Sequence, residues 1–174
     1  MAKLEIIKLP DPVLKELAQP IENITDEIRQ QAADMIETMY AAPGIGLAAN
    51  QVGKLNRMFV LDTQFRENKE SRAAIVMINP EIVWASDEPS VMEEGCLSIP
   101  QQFADVERPR SVRVKFIDLY GETKEMLVED LSSHCVQHEL DHLNGVLFID
   151  HLSRLKRNML MKRYKKQQAE AEVF

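Results

Sequence analysis

Residues 134–143 read His-Cys-Val-Gln-His-Glu-Leu-Asp-His-Leu and predict the central helix of the fold. His138 and His142 are four residues apart, so on an α-helix their side chains lie on one face, about 6 Å apart along the axis. Both imidazoles can therefore bind one metal ion, with Glu139 beside them as an acid or base. The alternative is a solvated helix with two histidines by chance, but the chain has only 4 histidines. We predict a metal site on this helix.

His134 continues the same helical stripe and has to be assigned separately. His134 and His142 are separated by about 12 Å of helix axis, which is too far for one ion. Because Glu139 directly follows His138, the pair His138 and His142 is favoured as the ligands. We expect His134 to line a pocket or to be buried with a satisfied hydrogen bond, and His151 to lie at the surface or cap a helix.

A catalytic metal normally has a third protein ligand and an open position for water. Cys96 is a candidate, because the adjacent Gly95 lets backbone approach closely and a thiolate from this strand could reach the metal. Burial as a small apolar residue is the commoner state of a free cysteine, and carboxylates remain alternatives. Cys135 lies three residues before His138 on the same helix, which is poor geometry for joining both histidines.

The segment 44–51, Gly-Ile-Gly-Leu-Ala-Ala-Asn-Gln, is rich in small residues. Its two glycines indicate backbone pressed against another part of the molecule. Gln51 supplies an amide that can donate a hydrogen bond to a developing oxyanion. The segment lacks the glycine spacing of a phosphate or dinucleotide loop, which argues against nucleotide binding.

The remaining residues form separate helical and β-type segments. Asp11 and Pro12 begin a short helix, and Thr25 caps a second helix that Pro43-Gly44 ends. β-type runs occupy residues 58–61, 74–78, 82–84, 112–119 and 125–128, with turns at 79–80, 87–89 and 120–122. The metal helix should run from 130 to about 142, followed by a short strand at 146–149 and a final helix from Leu152. These segregated elements predict the α+β class.

The composition fits one globular domain. The chain has 174 residues, 45% of them hydrophobic and 28% charged, which excludes disordered and fibrous classes. Its net charge of -7 disfavours a general nucleic-acid binder. The longest apolar run, residues 73–78, is far shorter than the roughly 20 residues of a membrane span. The start lacks a secretory signal and no disulfide is expected, so a cytoplasmic location is predicted.

Basic residues concentrate in the tail, which we define as residues 153–174. The tail has seven lysines and arginines against two glutamates. A solvated helix face is the simpler interpretation, and a salt-sensitive contact with RNA is the alternative. No linker divides the chain, so residues 1–152 and the helical tail are expected to form a single domain.

Three segments, in this order, resemble the signature motifs of the peptide deformylase family: residues 44–51, Glu-Gly-Cys-Leu-Ser at 94–98, and Gln-His-Glu-Leu-Asp-His at 137–142. The opening residues 9–14 and the basic C-terminal helix are also similar, so the resemblance covers nearly the whole chain. It implies a hydrolase that removes the N-formyl group from the N-terminal methionine of nascent chains and releases formate. It also implies antiparallel strands packed around the metal-binding helix, with residues 1–152 as the catalytic part.

The same resemblance assigns roles to individual residues. The metal ligands would be Cys96, His138 and His142, holding one divalent ion per chain, which is ferrous iron in family members with nickel or zinc as substitutes. A metal-bound water would attack the formyl carbon, with Glu139 as general acid/base and with Gln51 and the backbone N–H of Leu97 stabilising the tetrahedral intermediate. The substrate backbone would pair with Ile45, Gly46 and Gly95. The methionine pocket would include Leu131, His134 and Cys135.

Some positions depart from the family pattern or add to it. His134 stands where the family usually has an apolar pocket residue, so the sequence leaves open the polarity of the pocket and its strictness for methionine. Phe103 stands near a point where some relatives have an arginine that contacts substrate. Glu94 and Arg110 resemble an ion pair behind the site, and related bacterial enzymes use a C-terminal helix to contact the ribosome.

Two other functions remain open from the sequence. A metalloprotease shares the two-histidine, one-glutamate helix but normally takes its third ligand from histidine or a carboxylate, so a ligand at Cys96 discriminates. A metal-stabilised ribosome-binding module without turnover is the second. A purely structural zinc site would want four protein ligands rather than three, and the presence of Gln51 and Glu139 argues against it.

Overall fold

The computed structural model describes residues 2–173. These residues form three α-helices, α1 Asp26–Ala41, α2 Asp130–Leu143 and α3 Arg154–Val173. Their strands are β1 Gly46–Ala48, β2 Met58–Leu61, β3 Ile75–Ala85, β4 Pro89–Cys96, β5 Ile99–Pro109, β6 Ser111–Ile117 and β7 Thr123–Glu129. Short 3-10 helices occupy Pro12–Lys15, Ala49–Val52, Thr63–Arg66 and Phe148–His151.

The strands form two antiparallel sheets around α2. One has the order β1-β2-β3-β6-β7, and the other is the β4-β5 hairpin. In β6, Val112 and Val114 are buried while Arg113 and Lys115 are exposed, which is the alternation expected of a strand with one face in the core. Val136 of α2 is fully buried in this core. The fold is therefore α+β, as the sequence predicts, with the metal-helix candidate packed between the sheets.

Helix α1 forms where the sequence predicts it. The hydroxyl of Thr25 accepts a hydrogen bond from the N–H of Ile28 at 3.3 Å, which satisfies one free donor of the first turn. One face of α1 buries Ala32, Met35 and Met39. Helix α1 thus supports the sheet from the side that does not carry the catalytic candidates.

The predicted turn at Asn79-Pro80 is wrong. β3 runs continuously through these residues and has a register shift against β6 at this point. Asn79 has a φ of 50°, and its side-chain amide bonds both the N–H and the C=O of Ile21 at 2.8 Å. A bulge held by a distant segment therefore replaces the turn that the dipeptide predicts.

The predicted strand at 146–149 is also wrong. Residues Phe148–His151 form a 3-10 helix, and the Asp150 carboxylate accepts a hydrogen bond from the N–H of Leu147 at 2.9 Å. This local hydrogen bond satisfies the backbone N–H of Leu147, which therefore needs no partner strand. Conversely, the long strand β5 opposite Cys96 was not among the predicted β-type runs.

Helix α3 lies against the β4-β5 hairpin. Leu160 and Tyr164 are buried, and the Tyr164 hydroxyl donates a hydrogen bond to the backbone oxygen of Leu9 at 2.6 Å. Gln167 donates to the backbone oxygen of Pro100 at 3.2 Å. One face of α3 therefore belongs to the core around the hairpin, while its basic residues point to solvent. Among the described residues, no helix is both long and apolar enough to cross a membrane.

Candidate metal centre and active site

Helix α2 and the tip of the β4-β5 hairpin bring three candidate ligands together. Cys96 ends β4, and a two-residue turn at Leu97 and Ser98 leads into β5. The ligand atoms of Cys96, His138 and His142 all lie within 4.8 Å of one another. Cys96 therefore converges on one point with two histidines that are 42 and 46 positions later in the sequence.

The spacing of these atoms fits a tetrahedral metal ion. Ideal bonds of about 2.3 Å to sulfur and about 2.0 Å to nitrogen place the two ligand atoms about 3.5 Å apart. The distance from Cys96 Sγ to His142 Nε2 is 3.4 Å. One thiolate and two imidazoles suit zinc, iron or nickel and are poor ligands for magnesium or calcium. Three protein ligands leave a fourth position for water or substrate.

A buried carboxylate sets the orientation of His138. Glu94 Oε1 lies 3.0 Å from His138 Nδ1. A carboxylate can only accept here, so Nδ1 carries the proton and Nε2 keeps its lone pair for a metal. Burial raises the pKa of Glu94, but hydrogen bonds from His134, His138 and Arg108 outweigh it, and the pKa lies well below its usual range.

The predicted ion pair between Glu94 and Arg110 is wrong. Glu94 pairs instead with Arg108, whose Nε and Nη2 donate at 2.7 and 2.9 Å. Arg108 lies within β5 with its side chain buried, whereas Arg110 lies past the end of that strand. Arg110 is half exposed and pairs with Glu88 and Asp130, each at 3.0 Å. Alternation along a strand would place residues 108 and 110 on the same face, so the end of β5 at Pro109 is what leaves Arg110 outside the core.

Glu139 lies beside the ligands in a confined position. Its Oε2 atom is buried and accepts no hydrogen bond from the residues described. Burial raises its pKa to about 7, although His138 opposes the shift. A Cβ on Gly46 would lie 2.9 Å from this oxygen and 3.0 Å from the Cys135 sulfur. Only glycine at position 46 leaves room for the carboxylate, which is the close backbone approach that the sequence indicates.

The amide of Gln51 is held in one orientation. Its Oε1 accepts the N–H of Ala48 at 3.0 Å, so Nε2 must face the other way. Nε2 donates to the hydroxyl of Ser98 at 3.1 Å and lies 3.6 Å from Cys96 Sγ. One amide N–H is therefore aimed at the ligand cluster. Gly44 packs equally tightly, because a Cβ there would lie 2.8 Å from Leu97 Cδ1.

A cavity of about 540 Å³ opens onto two of the candidate ligands, Cys96 and His138. All the residues predicted to contact substrate line it: Ile45, Gly46, Gly95, Leu131, His134 and Cys135. Gly46 belongs to β1, an edge strand of its sheet, and Gly95 belongs to β4, which pairs with β5. The cavity is thus bordered by two strands, a geometry suited to an extended peptide.

His134 lines this cavity and is buried with its hydrogen bonds satisfied, as the sequence predicts. The residue is 2% exposed, and both ring nitrogens are engaged: Nδ1 lies 2.9 Å from Glu94 Oε2 and Nε2 lies 2.8 Å from the hydroxyl of Ser90. The polar atoms of the ring are therefore taken up by protein partners. Nearby, burial raises the pKa of Cys135 well above its usual value, so this residue stays a neutral thiol.

Three participants in the site were missed by sequence reasoning. Arg108, Ser90 and Ser98 each bond a predicted site residue. Ser98 ends the motif at 94–98 but was given no role, and no spacing pattern marks Arg108 or Ser90. Phe103 lines the cavity and is 58% exposed. Its ring lies over Gly95, where a Cβ would come within 2.6 Å of the ring carbons.

Comparisons with known proteins cover nearly the whole chain. The family model described as polypeptide deformylase matches residues 3–158. A peptide deformylase of Mesorhizobium japonicum is 53% identical over 161 residues, covering 92% of this chain and 90% of the relative. One from Afipia carboxidovorans is 54% identical over 166 residues, covering 95% and 96%. A crystal structure of a peptide deformylase from Legionella pneumophila has a TM-score of 0.91 at 39% identity, covering 98% of each chain.

Proposed function

The chain belongs to the polypeptide deformylase family of hydrolases, and from this premise we propose that it removes the formyl group of nascent chains with a metal ion held by Cys96, His138 and His142. The observation that carries the proposal is the convergence of these ligand atoms within 4.8 Å, beside the buried Glu139, at a cavity that Cys96, His138 and Glu139 help to line. The substrate would be an N-formylmethionyl peptide, and formate would be released.

A divalent ion at these ligands would supply a Lewis acid that polarises the formyl oxygen and lowers the pKa of water. Glu139 takes the proton of the attacking water and afterwards delivers it to the departing amine. Its Oε2 is suited to this exchange because no described residue donates a hydrogen bond to this oxygen. Thiolate and imidazole ligands support ferrous iron, nickel or zinc, and we propose ferrous iron as the ion in the cell.

Residues around the ligands position the substrate. Gln51 Nε2 and the backbone N–H of Leu97 donate hydrogen bonds to the oxyanion of the tetrahedral intermediate. The extended peptide pairs with the backbone at Ile45, Gly46 and Gly95, as an added strand between β1 and β4. The methionine side chain enters the end of the cavity that Leu131, His134 and Cys135 line.

The proposed ligand set separates a deformylase from a metalloprotease. We expect the intact chain to convert formyl-Met-Ala-Ser into formate and Met-Ala-Ser, with the two peptide bonds left whole. Cys96→Ala removes one of three ligands, and we expect it to lose at least about 10-fold in zinc affinity along with formate release. Metal content and chromatographed products are measured on the same samples. Internal cleavage of the peptide, or a Cys96→Ala variant with normal metal content and activity, would contradict the proposal.

We also propose that the exposed basic face of α3 contacts ribosomal RNA, where nascent chains emerge in the cytosol. Because Leu160 and Tyr164 are buried, removing the tail would expose core, so charge changes are the sharper test. Replacing Lys162, Arg163, Lys165 and Lys166 by glutamine should weaken co-sedimentation with ribosomes at low salt. A variant with Lys54 and Lys115 changed to glutamine is the control. Equal binding of both variants would argue against the contact.

A further inference from the structure

The carboxylate of Glu94 accepts four hydrogen bonds in the core. Its Oε1 accepts from His138 Nδ1 at 3.0 Å and from Arg108 Nη2 at 2.9 Å. Its Oε2 accepts from His134 Nδ1 at 2.9 Å and from Arg108 Nε at 2.7 Å. The carboxylate is 7% exposed, so its position depends on these donors rather than on water.

Glu94 fixes the direction of one hydrogen bond of His134. The carboxylate can only accept, so Nδ1 of His134 donates to it, and Nε2 lies 2.8 Å from the hydroxyl of Ser90. The chain of bonds therefore runs from Ser90 through His134 and Glu94 to His138. Both ring nitrogens are satisfied in a residue that is 2% exposed, and the last link is a proposed metal ligand.

We propose that His134 is a positioning residue for the metal centre: it holds Oε2 of Glu94 so that Oε1 keeps His138 in the orientation that turns its Nε2 toward the ion. The inference rests on the metal site of the proposed function. Arg108 holds the Glu94 carboxylate from one side, and its Nη1 donates to Asp141 at 2.9 Å rather than to Glu94. The bond from His134 adds a second anchor on the oxygen that His138 does not use.

Two substitutions separate this role from packing. His134→Leu keeps an apolar side chain of similar size but removes the bond to Glu94. His134→Asn removes most of the ring but places an amide N–H near the position of Nδ1. If the bond matters, zinc should leave His134→Leu about 10-fold faster than the wild-type protein, while His134→Asn stays within about 3-fold. Direct hydrogen-bond partners of metal ligands contribute about 10- to 100-fold in affinity, and the lower end is expected because His134 acts through Glu94.

The measurement is the rate of zinc transfer from the full chain to an excess of a coloured chelator. His151→Leu is the matched control, because His151 contacts Asp141 and not Glu94. Thermal unfolding of each variant establishes that it is folded. The proposal is overturned if His134→Leu releases zinc at the wild-type rate, or if His134→Asn releases it faster than His134→Leu does.

If His134→Leu does not fold, Ser90→Ala decides the question. This variant keeps the ring and its packing but removes the hydroxyl that fixes Nε2, and zinc release should be about 2-fold faster. Unchanged release would overturn the proposal. A wild-type protein that binds no zinc would instead reject the metal site itself, and the two failures are therefore distinguishable.

Discussion

Replacing Glu139 by alanine is expected to leave one metal ion per chain and to lower kcat/KM for formyl-Met peptides by about 10²- to 10⁴-fold. The proposed metal ligands are Cys96, His138 and His142, so the ion should stay, while the group proposed to move the proton is lost. The side chain of Glu139 is buried and lines the cavity, and the cluster of candidate ligand atoms in the described residues consists of Cys96, His138 and His142 without Glu139. Metal analysis and formate-release kinetics on the same preparation measure the two effects separately.

Glu139→Gln is a more conservative substitution at the same position and serves as the second test. It keeps the shape of the side chain next to Gly46 but cannot accept and return a proton, so it should be as inactive as the alanine variant. Substantial turnover in either variant would show that another group carries the proton. Loss of the metal in both would show that Glu139 acts as a ligand instead.

Replacing Arg108 by methionine is expected to lower the free energy of unfolding by about 3–5 kcal/mol, because Glu94 would stay buried without its charged partner. The Arg108 side chain is 4% exposed and donates to both oxygens of Glu94 and to Asp141. Urea unfolding of the metal-free proteins gives the difference directly. The loss should exceed that of any single surface ion pair, for which about 0–1 kcal/mol is usual.

A double variant tests whether the effect comes from the unpaired charge. Arg108→Met combined with Glu94→Gln removes both charges, and it should recover part of the stability lost in Arg108→Met. Arg110→Met is the matched control, because that arginine is half exposed and bonds Glu88 and Asp130. If Arg108→Met and Arg110→Met lose the same stability, Glu94 does not depend on Arg108.

The elements with strong local signals could be predicted from the sequence. Helix α1 has a cap at Thr25 and apolar residues at helical spacing, and α2 has its histidines at the same spacing. The alternation of β6 is equally clear. These local rules hold here because each element buries the face that its pattern marks. The family resemblance then placed the three segments of the site together, which no local rule could do.

Tertiary contacts determine what the sequence did not reveal. Asn79 forms a bulge because Ile21, 58 residues away, pairs with its amide. The partner of Glu94 depends on the register of β4 and β5, which local pattern does not determine. His134 was expected to have a satisfied hydrogen bond, but its partners Ser90 and Glu94, 44 and 40 residues away, could not be identified from the sequence. In each case the deciding partner lies far away in the chain.

Titration of the metal-free chain with ferrous iron under anaerobic conditions tests the central claim most directly. Formate release from formyl-Met-Ala-Ser should be absent at first, rise in proportion to the bound iron, and stop rising at one ion per chain. The same titration of Cys96→Ala should show little release at any iron concentration used. Equal formate release from the metal-free and the loaded protein, or none from a fully loaded one, would contradict a metal-dependent deformylase.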